Sequence, residues 1–250
     1  MSIDTLDKPP AKGRSRKKGA AEPQEVEEPV ASARRAKVLL ISSAKGGSGK
    51  TSISINMSAC AVASGLSVLV VDADPQKTLT LSMSRRPEEA PAIPLRTIAM
   101  NDLAKALPDI KGEDVDLVII DTPPGVETYK DAIRILLAAS DFVLVPTRSG
   151  NPDLDSVTEW MRLVQREDVP SAFVLNATKR SAKRTERARV RLIKAGKICP
   201  IDIRNLEDIE RCHDAGVGLI EIARATGVED IEIVWEFVRS ELGIEAHQAG

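Results

Sequence analysis

A glycine-rich segment near the start of the chain, AKGGSGKTS at residues 44–52, has the residue types that bind a phosphate group. Its glycines allow backbone torsions that turn several N–H groups toward one anion. Lys50 adds a positive charge for the β- and γ-phosphates, and the Thr51 hydroxyl is a magnesium ligand. The segment departs from the pattern G-x-x-x-x-G-K-[ST] only at its first position, where Ala44 replaces glycine. It therefore predicts a phosphate-binding loop.

Two further motifs place carboxylates where predicted strands end. SVLVVDADPQ contains Asp72 and Asp74, and VDLVIIDTPPG contains Asp121. Mg²⁺ gives up its water reluctantly, so a carboxylate at a strand end beside a phosphate loop can hold the ion through its water shell. Asp121 fits that role best, and Asp74 is placed to orient an attacking water. These motifs predict metal-assisted hydrolysis of a bound nucleotide.

Strands that alternate with helices from residue 36 onward must position these motifs. Continuous Val/Ile/Leu runs suit strands that are buried on both faces of a parallel sheet. The predicted strands are KVLLIS, SVLVVD, PLRTIA, VDLVIID, FVLVPT, SAFVLN and KICPIDI. Repeated β–α units predict a doubly wound α/β fold, a mostly parallel sheet flanked by helices, with ligands at the carboxyl ends of the strands.

The first 35 residues differ in composition from the rest of the chain. They contain a basic block, KPPAKGRSRKKG, followed by an acidic one, EPQEVEE, and almost no large apolar residues. This composition predicts a disordered tail over residues 1–35 and one domain over residues 36–250. The tail is either a solvated segment or a basic arm that contacts nucleic acid or a partner, and both interpretations stay open.

The overall composition narrows the class of protein. With 42% hydrophobic and 29% charged residues, 250 residues can bury one α/β core. No apolar run approaches the ~20 residues of a membrane span. The three cysteines, Cys60, Cys199 and Cys212, form no C-x-x-C pair, which favours a reducing compartment without a disulfide or metal-cluster framework. Few aromatic residues are present, which disfavours a base-stacking platform for nucleic acid.

Three motifs together carry a resemblance to a known family. KGGSGKTS, DADPQ and DTPPG, in this order, resemble the deviant Walker A, switch I and Walker B segments of the ParA/MinD family of P-loop ATPases. DADPQ leans towards the ParA branch, and the resemblance covers residues 36–242. It implies the P-loop NTPase fold, with ATP and Mg²⁺ as cofactors. It also implies an ATP-bound homodimer in which Lys45 reaches the partner's nucleotide and neutralises phosphate charge, as an arginine finger does.

The resemblance implies roles for individual residues. Lys45 and Asp74 are the predicted catalytic residues, and Thr51, Asp72 and Asp121 are the predicted metal site. Asn176 stands where relatives hold the adenine by its edge, and the segment after CPIDI is a second candidate wall. The predicted nucleotide-binding residues are Lys45, Gly46, Gly47, Ser48, Gly49, Lys50, Thr51, Ser52 and Asn176.

A basic segment, TKRSAKRTERARVRLIKAGK at residues 178–197, has Glu186 as its single acid in a chain of net charge −2. On a helix, cations spaced three and four residues apart line one face. Such a stripe suits contacts with phosphates that carry no sequence information, while a solvated helix face is the plain alternative. The resemblance favours non-specific binding of DNA by a dimer. The predicted DNA-binding residues are Arg180, Lys183, Arg184, Arg187, Arg191 and Lys194.

The sequence thus predicts a cytoplasmic, nucleoid-associated ATPase that dimerises with ATP, binds double-stranded DNA non-specifically and positions a cargo. The cargo is a plasmid, a chromosome region or a large protein complex, and DNA and a ParB-like or other adaptor stimulate a weak hydrolysis. The alternatives are a MinD-like ATPase that acts on a membrane or protein surface, and a small-molecule kinase. The segment VEDIEIVWEFVRSELG is acidic, unlike a basic amphipathic membrane helix, so no membrane partner is expected. A kinase would not need Lys45 in trans.

Overall fold

Six parallel strands form a single sheet in the computed structural model, which describes residues 35–125, 128–179 and 183–245. The strand order is β3-β2-β4-β1-β5-β6. The strands are β1 Lys37–Ile41, β2 Val68–Asp72, β3 Leu95–Thr97, β4 Leu117–Asp121, β5 Phe142–Thr147 and β6 Ser171–Leu175. The doubly wound, parallel fold predicted from the sequence is confirmed.

Helices cover both faces of the sheet, which is why the strands have no polar face. Along β1, Leu40 packs into one core, while Leu39 and Ile41 pack into the other. Helices α3 to α6 cover the first core; α1, α2, α7, α8 and a 3₁₀ helix at Leu219–Glu221 cover the second. The helices are α1 Lys50–Ala63, α2 Thr78–Met83, α3 Met100–Lys111, α4 Lys130–Ala139, α5 Asn151–Arg166, α6 Lys183–Ile193, α7 Glu207–Ala215 and α8 Val228–Leu242.

The seventh predicted strand, KICPIDI at residues 197–203, does not form. The segment meets β6 at a single bridge between Phe173 and Ile198. Cys199 N donates to Phe173 O, but the next bond to β6 runs from Ile203 N to Leu175 O, two residues later than uninterrupted parallel pairing would give. The prediction of a strand was wrong because the pairing with β6 stops after Cys199 and resumes only at Ile203, and apolar composition does not show such an interruption.

The sheet register brings the predicted site motifs together. Asp121, the last residue of β4, pairs with Ile41 of β1 on one side and with Asp72 of β2 on the other. The glycine-rich loop leaves β1 directly after Ile41, so the loop and both aspartates lie at the same edge of the sheet. Arg180 and residues 1–34 of the predicted tail lie outside the described residues.

Candidate functional site

The glycine-rich loop wraps the space in front of helix α1. Gly47 and Gly49 have φ angles of 72° and 94°, in the left-handed region that favours glycine. A Cβ atom on Gly49 would also overlap the side-chain amide nitrogen of Asn176. Gly49 caps α1 without a side-chain hydrogen bond, so the N–H groups of the first turn remain available to a ligand. This is the geometry of an anion site at a helix N-terminus.

Lys50 supplies a buried cation inside this loop. Its side chain is buried, and its Nζ donates to the carbonyl oxygen of Lys45 at 3.4 Å. Burial lowers the pKa of Lys50, and the negative charges of Asp121 and Asp74 oppose that effect. A buried ammonium with one long hydrogen bond is well suited to bind a phosphate oxygen.

Asp121 and Thr51 form the pair that a magnesium ion would need. The Thr51 hydroxyl donates to Asp121 Oδ2 at 2.9 Å, which leaves the lone pairs of the hydroxyl oxygen free. Asp121 Oδ1 is buried without a hydrogen-bond partner in the described residues. Burial raises the pKa of Asp121 to about 7, against the lowering effects of the Thr51 hydrogen bond and the Lys50 charge. An unpaired buried carboxylate oxygen beside a hydroxyl fits Mg²⁺.

A cation at this pair would also need ligands from outside the protein. Across the described ranges 35–125, 128–179 and 183–245, no three or more His, Cys, Asp or Glu side chains converge on a possible metal site. Mg²⁺ takes oxygen ligands, keeps several waters and is commonly held by one or two carboxylates together with substrate phosphates. The residues present therefore fit a magnesium ion that arrives with a nucleotide.

Asp72 is fully buried, and both of its carboxylate oxygens already have partners. Oδ2 accepts from the backbone N–H and the hydroxyl of Thr80 at 2.9 Å and 2.7 Å, and Oδ1 accepts from Asp74 N at 3.1 Å. Thr80 lies in the first turn of α2, so these hydrogen bonds connect the start of that helix to the end of β2. Its predicted support of a magnesium water shell stays a prediction.

Asp74 and Lys45 are less buried than Lys50 and Asp121. Asp74 is half-buried and accepts from Gln76 N at 2.9 Å, in a turn between β2 and α2. Lys45 is half-buried, and its ammonium has no hydrogen bond or ion pair within the part of the chain that the structure describes. The loop backbone is tied to the DTPPG segment by Gly125 N, which donates to Ala44 O at 3.0 Å. The roles of Asp74 and Lys45 stay predictions.

A cleft of about 380 Å³ opens beside the loop and brings together the two predicted base walls. Asn176 Nδ2 donates to Ser48 O at 2.9 Å, so this side chain braces the loop. Arg204, which also lines the cleft, forms a two-point ion pair with the buried Asp230, which fixes the segment after residue 203. The cleft is lined by Gly49, Ser52, Arg148, Asn176, Ala177, Arg204, Asn205, Leu206, Ile209, Glu210, His213 and Asp214.

Arg148 is the cleft residue that sequence reasoning missed. It follows β5 directly, and it is an exposed cation that lines the cleft together with Gly49 and Ser52. Arg148 follows the carboxyl end of a parallel strand, where ligands bind in such folds, so its position in the sequence could have identified it as a candidate site residue. The contribution of α7 to the cleft had no such signal, because it depends on how that helix packs against α1 and α2.

The predicted basic stripe lies on α6 and in the turn after it. Lys183, Arg187 and Lys194 are exposed and have no hydrogen bond or ion pair among the described residues. Arg184 Nε donates to Ser149 O at 3.0 Å, and Arg191 forms an ion pair with Asp155 of α5. Lys194 lies one residue beyond the helix, which ends at Ile193. The stripe therefore combines three free cations with two that are tied to neighbouring segments.

Comparison with known proteins identifies related chains. The profile described as the CobQ/CobB/MinD/ParA nucleotide binding domain matches residues 39–232. The chain is 35% identical over 128 residues to the sporulation initiation inhibitor protein Soj of Bacillus subtilis, covering 50% of this chain and 45% of that protein. It is 34% identical over 155 residues to the maintenance of carboxysome distribution protein A of Halothiobacillus neapolitanus, covering 58% of this chain and 68% of that protein.

Solved structures share the fold. The cell division ATPase MinD of Pyrococcus furiosus superposes with a TM-score of 0.68 at 18% identity, covering 82% of this chain and 99% of that one. Apo McdA of Cyanothece superposes with a TM-score of 0.64 at 21% identity, covering 83% of this chain and 100% of that one. Among the residues that the structure describes, no helix is long and apolar enough to cross a membrane.

Proposed function

The chain belongs to the CobQ/CobB/MinD/ParA nucleotide-binding family, and from this premise we propose that it is an ATPase that works as an ATP-dependent dimeric switch on DNA. In the ATP-bound state it binds double-stranded DNA without regard to sequence, and hydrolysis releases it. The switch positions a cargo through a ParB-like or other adaptor that stimulates hydrolysis. Relatives named for chromosome partitioning and for carboxysome distribution support a positioning role.

The observation that carries the proposed activity is the Thr51–Asp121 pair at the mouth of the phosphate loop. Lys50 and the N–H groups at the start of α1 bind the triphosphate, and Thr51 and Asp121 hold Mg²⁺. Bound Mg²⁺ neutralises charge that builds up on the phosphates. Asp74 orients the attacking water, and Asp72 holds α2 so that the Asp74 turn keeps its place. Asn176 braces the loop and faces the base cleft.

Dimerisation is proposed to add a second cation to each nucleotide. The Lys45 ammonium has no partner in the described residues of its own chain, so it is free to reach a phosphate on a second subunit. ATP then joins the subunits, because each γ-phosphate attracts charge from both of them. Hydrolysis removes that attraction, and the dimer separates.

The α6 stripe supports DNA as the surface on which the switch acts. Lys183, Arg187 and Lys194 are exposed cations without protein partners, and no aromatic side chain interleaves them. Contacts of this type neutralise backbone phosphates and carry no sequence information. A dimer presents two stripes, and salt-sensitive affinity rises steeply with the number of phosphates neutralised.

A membrane surface is less well supported by helix α8. Its apolar side chains Ile231, Val234 and Trp235 are buried in the second core, so they are occupied by packing within the chain. Its first turn carries Glu229 and Asp230. An interfacial membrane helix needs an exposed apolar face and a basic polar face, and α8 has neither.

Two substitutions test the proposed ATPase. Lys50→Ala removes the cation inside the loop, so we expect no binding of ATP in a fluorescent-nucleotide titration. Asp74→Ala leaves the loop intact, so we expect normal ATP binding without release of phosphate. Normal phosphate release by the Asp74→Ala protein would remove Asp74 from the mechanism, and ATP binding by the Lys50→Ala protein would remove the loop from nucleotide binding.

A further inference from the structure

The stripe on α6 faces an acidic side chain of the neighbouring helix. Arg191 Nη2 pairs with Asp155 Oδ1 of α5, and Arg184 is held by the Ser149 carbonyl just before α5 begins. Between the two helices lies a cleft of about 380 Å³. The cleft is lined by Ser149, Asn151, Leu154, Arg184, Arg187, Ala188 and Arg191.

We propose that this cleft holds a phosphate group of the DNA backbone and that Asp155 occupies Arg191 until the phosphate displaces it. This inference rests on the proposed function, in which the α6 stripe binds DNA. Three guanidinium groups line one small cleft, and guanidinium presents N–H donors in a fork that matches two phosphate oxygens. Arg187 has no partner among the described residues, and Arg184 is held in place by a carbonyl and forms no ion pair there.

The ion pair between Arg191 and Asp155 is weak enough to be exchanged. The two side chains are 41% and 68% exposed, and exposed ion pairs contribute little to folding stability. A DNA phosphate can therefore replace Asp155 at Arg191. Asp155 then lies next to DNA as an unpaired like charge.

The exchange has a measurable effect on the salt dependence of binding. Each phosphate that a protein cation neutralises releases counterions from the DNA, which gives a slope of about −0.9 in log K against log salt. Arg191 contributes to this slope only in the fraction of complexes in which it has left Asp155 for a phosphate. Asp155 thus lowers both the affinity for DNA and the steepness of its salt dependence.

The test is Asp155→Asn, which removes the charge and keeps the size of the side chain. We expect the slope to steepen by up to about 0.9 for each subunit bound and the affinity at 0.1 M salt to rise by up to about eightfold for each subunit. The matched control is Asp109→Asn on α3, an exposed aspartate with the same charge change and no side-chain partner in the described residues. The control protein should bind DNA with the wild-type slope.

A double variant separates the ion pair from general charge. In an Arg191→Ala background, the Asp155→Asn change should leave the salt slope unchanged and raise affinity less than in the wild-type background, because no arginine is left to release and only the repulsion between Asp155 and DNA is removed. A full eightfold gain in that background would overturn the exchange, as would a slope for Asp155→Asn equal to that of Asp109→Asn. Because Asp155 is exposed, its replacement should not unfold the protein. Thermal melting of each variant checks this before DNA binding is measured.

Two further outcomes separate this inference from neighbouring ones. If the wild-type protein with ATP binds no DNA, the proposed function fails; if it binds DNA and Asp155→Asn changes nothing, the proposed function stands and this inference fails. Inorganic pyrophosphate distinguishes free phosphates from the DNA backbone. Calorimetric binding of pyrophosphate that Arg191→Ala abolishes, with no effect of Asp155→Asn on DNA, would assign the cleft to a free polyphosphate and overturn the DNA assignment.

Discussion

Replacement of Asp121 by asparagine should make the nucleotide-free protein more stable while it impairs nucleotide binding. The carboxyl group is buried, and burial raises its pKa to about 7 from 3.8. The folded state therefore binds this proton more tightly than the unfolded state. The buried carboxylate therefore lowers the free energy of unfolding. This effect is absent below pH 3.8, grows as the pH rises, and is complete above about pH 7.

The size of the effect follows from the shift in pKa. Each pH unit between the two pKa values changes the free energy of unfolding by about 1.4 kcal/mol, which gives roughly 4 kcal/mol at pH 8 as an upper bound. At pH 5.5 the carboxyl group of the folded protein is still protonated, so the loss of stability is about 2 kcal/mol smaller there than at pH 8. Asparagine carries no charge at either pH and can still accept the Thr51 hydrogen bond.

Urea unfolding of the ATP-free proteins at pH 8 and pH 5.5 measures the difference. The stability gained by Asp121→Asn should be about 2 kcal/mol larger at pH 8 than at pH 5.5. Asp109→Asn, at an exposed site, is the control. Equal gains at both pH values, or a smaller gain at pH 8, would refute the argument that Asp121 is a buried charge held ready for a cation. The same variant should bind ATP with little dependence on Mg²⁺.

Two other predictions address the loop. Lys45→Ala should keep measurable ATP affinity yet stay monomeric with ATP in analytical ultracentrifugation, because the trans phosphate contact is lost; an ATP-bound dimer of unchanged strength would make Lys45 a local ligand only. Gly49→Ala should lower the free energy of unfolding by about 2 kcal/mol or more and abolish ATP binding, because it adds an overlap with Asn176 to the strain of a φ of 94°. Gly65→Ala, at φ 82° with nothing within 4 Å of the added Cβ, carries the strain alone and should cost about 1 kcal/mol; equal losses in chemical denaturation would show that the overlap with Asn176 does not matter.

The nucleotide loop and the sheet were predictable because their signals are local. Continuous apolar runs gave the positions of β1, β2 and β4, since strands buried on both faces show no alternation. The glycines of the loop indicate backbone torsions with positive φ, which other residues avoid, and Gly47 and Gly49 do have positive φ angles. Parallel pairing then had to bring Asp72 and Asp121 to the same edge of the sheet.

The remaining features depend on contacts between distant segments, which the sequence pattern does not encode. The failed strand at 197–203 has the right composition, but its pairing with β6 stops after Cys199 and resumes only at Ile203. The pairing of Arg191 with Asp155 requires α5 and α6 to lie side by side, and helix periodicity describes only one helix at a time. The hydrogen bonds from Thr80 to Asp72 were not predicted, because Thr80 lies eight residues further along the chain, in α2.

The most direct measurement of the central claim is a gel-shift salt series on two unrelated DNA duplexes. We expect binding that requires ATP, is equal for both duplexes, and falls by about a thousandfold between 50 mM and 200 mM salt. Lys183→Ala, Arg187→Ala and Lys194→Ala combined should abolish binding while ATP-dependent dimerisation persists, because these cations have no partner in the described structure. DNA binding that is independent of ATP, or that survives the triple substitution with an unchanged salt slope, would contradict an ATP-switched dimer that holds DNA through α6.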